Sequence, residues 1–368
     1  MKVLLTSLWP VGGIRTFFRY IYGQDAFSDI ELHLVAPDRG LGGYLEKHLP
    51  PDRITLHPCD HHGRVFAGAV RRHLRAQRYA LIHSHGFSAG AITALAALGR
   101  DTPHMMTAHD VFLPTSFPGL KGKLRRRSLS LLYRRLNLIH AVTMDGADNL
   151  LEYLPELRPE RVKPILHGID TQLFSQAKPV NIRAELDLPE NALLVGFFGR
   201  FMAQKGFRTL VDAVDVIRRE QLTTRPLRVL TFGWGGFIRE DYQYLTEKGL
   251  AEHFIQLEAT DEPQRWMKGM DVVAMPSRWE ACGLLGMEAL CAGVPIVGTT
   301  CIGLREVLEG SPAPMVEPED AAALARALMK AAQADQRPAF EAYQATAAQR
   351  FAIERPARDL RALYESLT

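Results

Sequence analysis

The sequence predicts an α/β protein made of two doubly wound domains in tandem, and three observations carry that prediction. Short runs of aliphatic and β-branched residues alternate with longer stretches of helical periodicity, the mark of parallel sheets covered on both faces. The alternation pauses near residue 167 and restarts at Leu193. The 368 residues also exceed what one hydrophobic core ordinarily serves.

Taken in order, Val3–Thr6, Glu31–Ala36, Leu81–Ser84, His104–Ala108, Leu138–Thr143 and Val162–Leu166 read as strands of a first sheet. A polar stretch from His167-Gly168-Ile169-Asp170 to about Leu186 is the natural domain boundary. Leu193–Phe198, Leu227–Phe232, Phe254–Leu257, Val272–Met275 and Pro295–Val297 read as a second set. Two helical patterns follow Pro338, the last over about Ile353–Ser366. The expected division is 1–168, 169–350 and a closing helix over 351–368. Doubly wound sheets bind ligands at the carboxyl ends of their strands, so the residues just after each strand are the candidates for chemistry.

With 47% hydrophobic and 23% charged residues the composition is that of a globular protein, and no apolar run is long enough for a transmembrane helix. The opening MKVLLTSLWP resembles a signal peptide only until Pro10 breaks the apolar run, and a first buried strand is the better reading. Four scattered cysteines, Cys59, Cys282, Cys291 and Cys301, point to packed thiols in a cytoplasmic protein rather than a disulfide framework. The net charge of +3 hides an asymmetry. Residues 1–165 hold 22 basic and 14 acidic side chains (+8), the remainder 22 and 27 (−5). An anionic partner for the first half is the expectation.

Several familiar chemistries fail on their own motifs. Gly233-Trp234-Gly235-Gly236 follows a strand, but the third glycine of a dinucleotide fingerprint would fall at Ile238. No GxxxxGK[ST] segment exists. Gly86-Phe87-Ser88-Ala89-Gly90 has the GxSxG form of a hydrolase nucleophile turn, but no HGGG-type oxyanion segment precedes it, and small residues at a strand-to-helix turn produce the same pattern. Cys59-Asp60-His61-His62 offers metal ligands; four consecutive side chains cannot all point at one ion and no second cluster is evident, so a polar surface turn is favoured and no metal is assigned.

The informative stretch runs from Met275 to Pro295. A strand ends, a Pro-Ser loop follows, and a helix is expected to begin near Gly283. Free N–H groups at such a start and the positive dipole end suit a diphosphate. Glu280 lies in the loop and Glu288 in the second turn of the helix, so the two reach different parts of an extended ligand; a surface acid and a helix-exposed acid are the bland alternative. Earlier, Gly199, Arg200 and Lys205 follow a strand end, where two cations can meet pyrophosphate oxygens. Gly12-Gly13, counted among the donor-binding candidates, permits close approach of backbone to a ligand or to the facing domain at the first strand end, and a plain tight turn competes with that reading. His109 follows the strand His104–Ala108, and His83 and His85 end another. A single histidine is more often structural than catalytic, yet His109 stands at the crevice edge before the loop 112–119.

Together these residues resemble the family-4 (group 1) retaining glycosyltransferases of the GT-B fold. The matching elements are Gly12-Gly13, Ile82–Gly86, Thr107–Asp110, His167–Asp170, Gly199-Arg200 with Lys205-Gly206, and Glu280-x7-Glu288 followed by Ala292-Gly293-Val294-Pro295. The resemblance implies two Rossmann-like domains facing across a cleft, with the last helix returning to the first domain. It implies a nucleotide-sugar donor, of UDP or GDP type, on the second domain and a hydroxyl acceptor on the first. Glu280 would hold the sugar hydroxyls with the backbone of Gly283, Leu284 and Leu285, and Glu288 the ribose. Arg200 and Lys205 would hold the diphosphate, and His109 would lie beside the reacting centre. No cofactor and no metal for the chemical step are implied. His167 where Asn is frequent, Met144-Asp145 for Ser-Glu, Cys282 and Leu284-Leu285 between the glutamates, and Leu304 after Gly303 depart from the usual pattern and leave sugar preference open.

The segment 121–136 is strongly basic, with Leu129, Leu132 and Leu136 at helical spacing. Such a helix can rest on an anionic membrane surface at the inner face of the membrane or meet a lipid-linked or anionic acceptor. The competing expectation is an ordinary amphipathic helix covering the sheet. Nucleic acid is not expected, because no recognition module accompanies the charge. Two other functions remain open at this stage: a GT-B-like sugar-nucleotide epimerase or hydrolase, and a non-catalytic sugar-nucleotide-binding partner subunit.

Overall fold

The computed structural model describes every residue except Trp234, so the glycine segment 233–236 is described only in part. The chain divides into two compact units, Met1–Gly168 with Ile353–Thr368, and Ile169–Ala352.

The first unit holds a seven-strand, all-parallel sheet in the order β3-β2-β1-β4-β5-β6-β7. These are β1 (Lys2–Ser7), β2 (Glu31–Ala36), β3 (Ile54–Pro58), β4 (Leu81–His85), β5 (His104–Ala108), β6 (Leu138–Ala141) and β7 (Val162–Pro164). The second unit has six parallel strands in the order β10-β9-β8-β11-β12-β13. They are β8 (Leu193–Phe198), β9 (Leu227–Phe232), β10 (Phe254–Leu257), β11 (Val272–Ala274), β12 (Ile296–Thr299) and β13 (Met315–Val316). In each sheet the winding reverses beside the first strand, between β1 and β4 and between β8 and β11. A doubly wound sheet opens its ligand crevice at that reversal.

Two strands escaped sequence reading. β3 is an edge strand with an exposed, alternating pattern, and β13 is two residues long. Neither offers the unbroken apolar run that marks a strand buried on both faces. The central strands do. In the second unit Phe207, Leu210, Val211, Val214 and Ile217 recur at helical spacing and bury one face of the helix Phe207–Arg219 on the sheet. At roughly 1.5–3 kcal/mol per buried side chain this stripe is a principal source of the unit's stability.

The basic helix spans Gly119–Tyr133. Leu129 and Leu132 pack against the core beneath it and Leu136 is buried just beyond its end. After Phe351 the backbone leaves the helix at Ala352 and the last helix, Glu354–Leu367, packs in the first unit. Arg361 forks onto Asp29, and Tyr364 is fully buried.

Candidate active site

At the β8–β11 reversal a charged pair is kept partly from water. The Glu280 side chain is 6% exposed, and its Oε1 accepts from Lys205 Nζ at 2.7 Å. Ser277 Oγ donates to the same oxygen at 2.7 Å and Gln204 Nε2 to Oε2 at 3.4 Å. Burial of a carboxylate is costly unless charge and hydrogen bonds compensate it, and Glu280 has a cation and two further donors. Ser277 is held in turn by its carbonyl, which accepts from Thr299 Oγ1 at 2.6 Å.

Local backbone explains how the pair meets. Gly206, at φ +67°, follows Lys205, and a Cβ there would lie 1.9 Å from the Pro276 carbonyl oxygen. Only glycine lets the lysine loop press so closely on the end of β11. Arg278 N–H donates to the Gln204 carbonyl at 2.8 Å and ties the loops again. On the far side Gly303, at φ +75°, leaves 2.3 Å between an added Cβ and the Glu280 carbonyl oxygen, while Glu280 N–H donates to Ile302 at 3.0 Å. Leu304, fully buried, fills the space over Gly283 and Gly298.

Of the expected donor-site residues, Lys205 and Glu280 come together directly. Gly199 closes β8, and Arg200 follows it half-buried, unconnected to the pair by hydrogen bond or ion pair among the described residues. Glu288 sits half-buried on the helix Leu284–Ala292. That helix is capped by Gly283, but two of its three candidate N–H groups are engaged. Gly283 donates to Gly303 at 3.2 Å and Leu284 to Cys282 at 2.9 Å. Ser277 and Gln204 were missed by sequence reasoning, and Gly303 was noted only as the glycine before Leu304. A Pro-Ser pair before the glutamate was visible, but a serine three residues away names no partner until the loop is folded.

The first unit's reversal is built differently. Gly12 (φ +55°) precedes the short helix Gly13–Phe17, which widens into a π-type turn over Phe18–Tyr22. Register sets the rest. Thr107 lies opposite both His85 and His140, so the side-chain period of two puts His83, His85, Thr107, His109 and His140 on one face. His85 Nδ1 lies 3.0 Å from His109 Nε2, and its Nε2 lies 2.8 Å from the Tyr22 hydroxyl. His83 meets Thr107 Oγ1 at 2.7 Å and the Tyr364 hydroxyl at 2.6 Å. His109 is half-buried, edge-on to Phe17 at 5.0 Å.

Burial lowers the pKa of every one of these imidazoles, with neighbouring histidines adding to the effect. His83, His85 and His109 fall well below the usual range, and His140 and His167 are pushed down to about 4. On the opposite face, His104 is lowered to about 3 by burial alone. All are neutral at pH 7.

Two rival motifs resolve into packing. Ser88 is exposed on the first turn of the helix Phe87–Ala96, and no histidine hydrogen-bonds to it among the described residues. Gly90 is small because a Cβ there would meet Met106 Sδ at 2.2 Å. After Cys59 three of the four side chains gather, and Cys59 is not among them. Ligand atoms of Asp60, His61 and His62 lie within 4.8 Å of one another, because Asp60 folds back to accept the His62 backbone N–H at 2.8 Å and so closes a tight exposed turn. None of the four cysteines forms a disulfide.

With this geometry in place, comparison with known proteins is informative. The model described as Glycosyltransferase Family 4 matches residues 11–173, and that described as Glycosyl transferases group 1 matches residues 192–334. The chain belongs to the family-4 glycosyltransferases. Among relatives in the family, D-inositol 3-phosphate glycosyltransferase 1 of Catenulispora acidiphila is 28% identical over 68% of this chain and 63% of its own. The lipopolysaccharide core biosynthesis mannosyltransferase LpsB of Rhizobium meliloti is 32% identical over 55% of this chain and 60% of its own. The matched region thus spans a little under two thirds of those two relatives. Anabaena Alr3699/HepE, solved in complex with UDP-glucose, superimposes with a TM-score of 0.85 over 100% of both chains at 22% identity. Its fold, like that of the other glycosyltransferases this chain resembles, is GT-B.

Proposed function

We propose that this family member moves a glycosyl group from a nucleoside-diphosphate sugar, of UDP or GDP type, to a hydroxyl acceptor with retention at the anomeric carbon. The observation that carries the proposal is the buried Glu280 carboxylate, clamped by Lys205, Ser277 and Gln204 at the second unit's reversal. Glu280 takes the sugar hydroxyls, with the Gly283–Leu285 backbone assisting. Glu288 takes the ribose. Lys205 and Arg200, beside Gly199, face the diphosphate. In the reaction the bond from the anomeric carbon to a diphosphate oxygen breaks, and a bond to the acceptor oxygen forms. Negative charge collects on the diphosphate, where fixed cations stabilise it without the metal ion that other enzymes use. No resident cofactor enters this scheme. The acceptor is assigned to the first unit, with His109 beside the reacting atoms. The UDP-glucose complex of HepE and the mannosyltransferase relative support a nucleotide-sugar donor.

A thermal-shift panel of UDP-, GDP- and ADP-sugars tests this reading, since a bound donor stabilises the fold by mass action. A shift with one base is the expected result; no shift with any donor sinks the donor-site assignment. Product analysis then separates transfer from its alternatives. Free or rearranged sugar without acceptor indicates a hydrolase or epimerase, and binding without turnover a silent partner subunit.

We propose further that the helix Gly119–Tyr133 contacts an anionic membrane, at its inner face, where a lipid-linked acceptor would reside. Leu120, Leu124 and Leu131 are 84%, 67% and 62% exposed. Their spacing puts them on one stripe, flanked by Lys123, Arg127, Arg134 and Arg135. Apolar stripes bordered by cations bind anionic bilayers in the interface plane. No helix among the described residues is long and apolar enough to cross a membrane. Flotation with phosphatidylglycerol vesicles at low salt should carry the protein upward, and Leu120, Leu124 and Leu131 changed together to Ser should abolish it. Absence of binding by the unaltered protein overturns this part.

A further inference from the structure

The histidine-rich face of the first unit is a chain of hydrogen bonds whose direction can be followed from end to end. Each buried imidazole is neutral and therefore carries one donor and one acceptor nitrogen. The Ile165 carbonyl accepts only, so His140 Nε2, 3.3 Å away, carries the proton and His140 Nδ1 is an acceptor. Thr107 Oγ1, 3.0 Å from that nitrogen, donates to it and is left to accept from His83 Nε2 at 2.7 Å. His83 Nδ1 is then an acceptor with two phenols in reach, Tyr364 at 2.6 Å and Tyr22 at 3.0 Å. It has one in-plane lone pair, and the nearer phenol, Tyr364, takes it. Tyr22 keeps its proton for His85 Nε2 at 2.8 Å, closer than the Tyr364 oxygen at 3.1 Å. His85 Nδ1 therefore carries a proton and donates to His109 Nε2 at 3.0 Å.

We infer that Tyr364, Tyr22 and His85 are positioning residues that hold His109 as the tautomer protonated on Nδ1, so that the last helix of the chain sets the proton on the histidine of the first-unit site. The inference adds to the functional reading, from which it takes only the placing of His109 beside the reacting atoms.

The deciding consequence concerns Tyr364→Phe. Without that hydroxyl, the lone pair of His83 Nδ1 passes to Tyr22. The Tyr22 oxygen must then accept from His85 Nε2, His85 Nδ1 becomes an acceptor, and His109 must donate from Nε2. One hydroxyl removed in the last helix inverts the tautomer of two histidines that it does not touch.

Two-bond proton–nitrogen correlation spectra of the full chain, labelled with ¹⁵N-histidine, read this directly at neutral pH without any substrate. His109 is assigned by the signal lost in His109→Gln. The unaltered protein should show His109 protonated on Nδ1, and Tyr364→Phe should move that proton to Nε2 while His104, on the other face of the sheet, keeps its pattern. His109 protonated on Nε2 in the unaltered protein overturns the inference without need of any variant. An unchanged His109 in folded Tyr364→Phe overturns it as well. Because no donor or acceptor is present, failure here leaves the glycosyl-transfer reading standing, and failure of every donor to bind leaves the tautomer result standing.

Discussion

The two units share a topology and treat buried polarity in opposite ways. Each has a parallel sheet whose winding reverses beside its first strand, with glycine turns leading into helices. At the reversal of the first unit the polar groups are neutral imidazoles, phenols and hydroxyls satisfying one another. At the reversal of the second they are a carboxylate and an ammonium group 2.7 Å apart. A neutral network demands no counter-ion and holds protons in set places, which suits a surface where a hydroxyl must be oriented. An ion pair kept partly from water holds charges ready for a ligand that brings its own, as a diphosphate sugar does.

The sharpest way to break this contrast is acid. The folded-state pKa values of His83, His85, His104, His109, His140 and His167 lie below those of the unfolded chain. Their contribution to stability is therefore complete above about pH 6.5 and is lost as pH falls toward about 4 for His140 and His167 and about 3 for His104. At pH 5 each imidazole kept neutral costs about 2 kcal/mol, so a few of them rival the roughly 5–15 kcal/mol of a whole domain. Hydrogen exchange read by mass spectrometry between pH 8 and 5 should show amides of 81–109 losing protection well before those of 193–217. Equal loss in both units would remove the distinction.

Next in size is the charge itself. Lys205→Ala should reduce turnover by about 10²–10³-fold, the scale of losing a group that stabilises developing negative charge. The fold should survive, because the lysine side chain is still 24% exposed and Glu280 retains Ser277 and Gln204. Turnover with whichever donor the thermal-shift panel identifies is the measurement. An undiminished rate takes Lys205 out of the proposed phosphate site.

The smallest effect sharpens the picture of the clamp. Ser277→Ala removes one donor from a buried carboxylate that keeps its cation, and should destabilise the second unit by about 1–3 kcal/mol. Chemical denaturation followed by the same exchange measurement would show it confined to that unit. A larger loss, matching removal of the lysine, would mean the serine rather than the ion pair holds Glu280 in place.

Much of the candidate site was legible before folding, and unevenly so. The glutamate segment stood out because Pro-Ser, Glu-x7-Glu and Ala-Gly-x-Pro fall in order within a single strand–loop–helix unit, where local spacing carries the information. Lys205 was legible as a cation after a strand end, but its pairing with Glu280 was not, since the two are 75 positions apart. The histidines were each visible and individually uninformative. A histidine in a strand reads as a modest interruption of an apolar run, and nothing local tells whether it meets water or another imidazole. On the basic helix, Leu129, Leu132 and Leu136 were rightly read as apolar and packed, while the exposure of Leu120, Leu124 and Leu131 depends on what the sheet leaves uncovered.

The sequence by itself determined the element order, the two-unit parallel architecture, the family and the residue types at each strand end, because these follow from periodicity, turn chemistry and short-range spacing. Only the tertiary structure decided who partners whom. Sheet order and register placed β8 beside β11 and set Thr107 opposite His85 and His140, and the returning helix brought Tyr364 to Tyr22, 342 positions earlier. Hydrogen bonds and ion pairs act over about 3 Å. Such contacts exist only when the whole chain has chosen its path, and no local pattern encodes them.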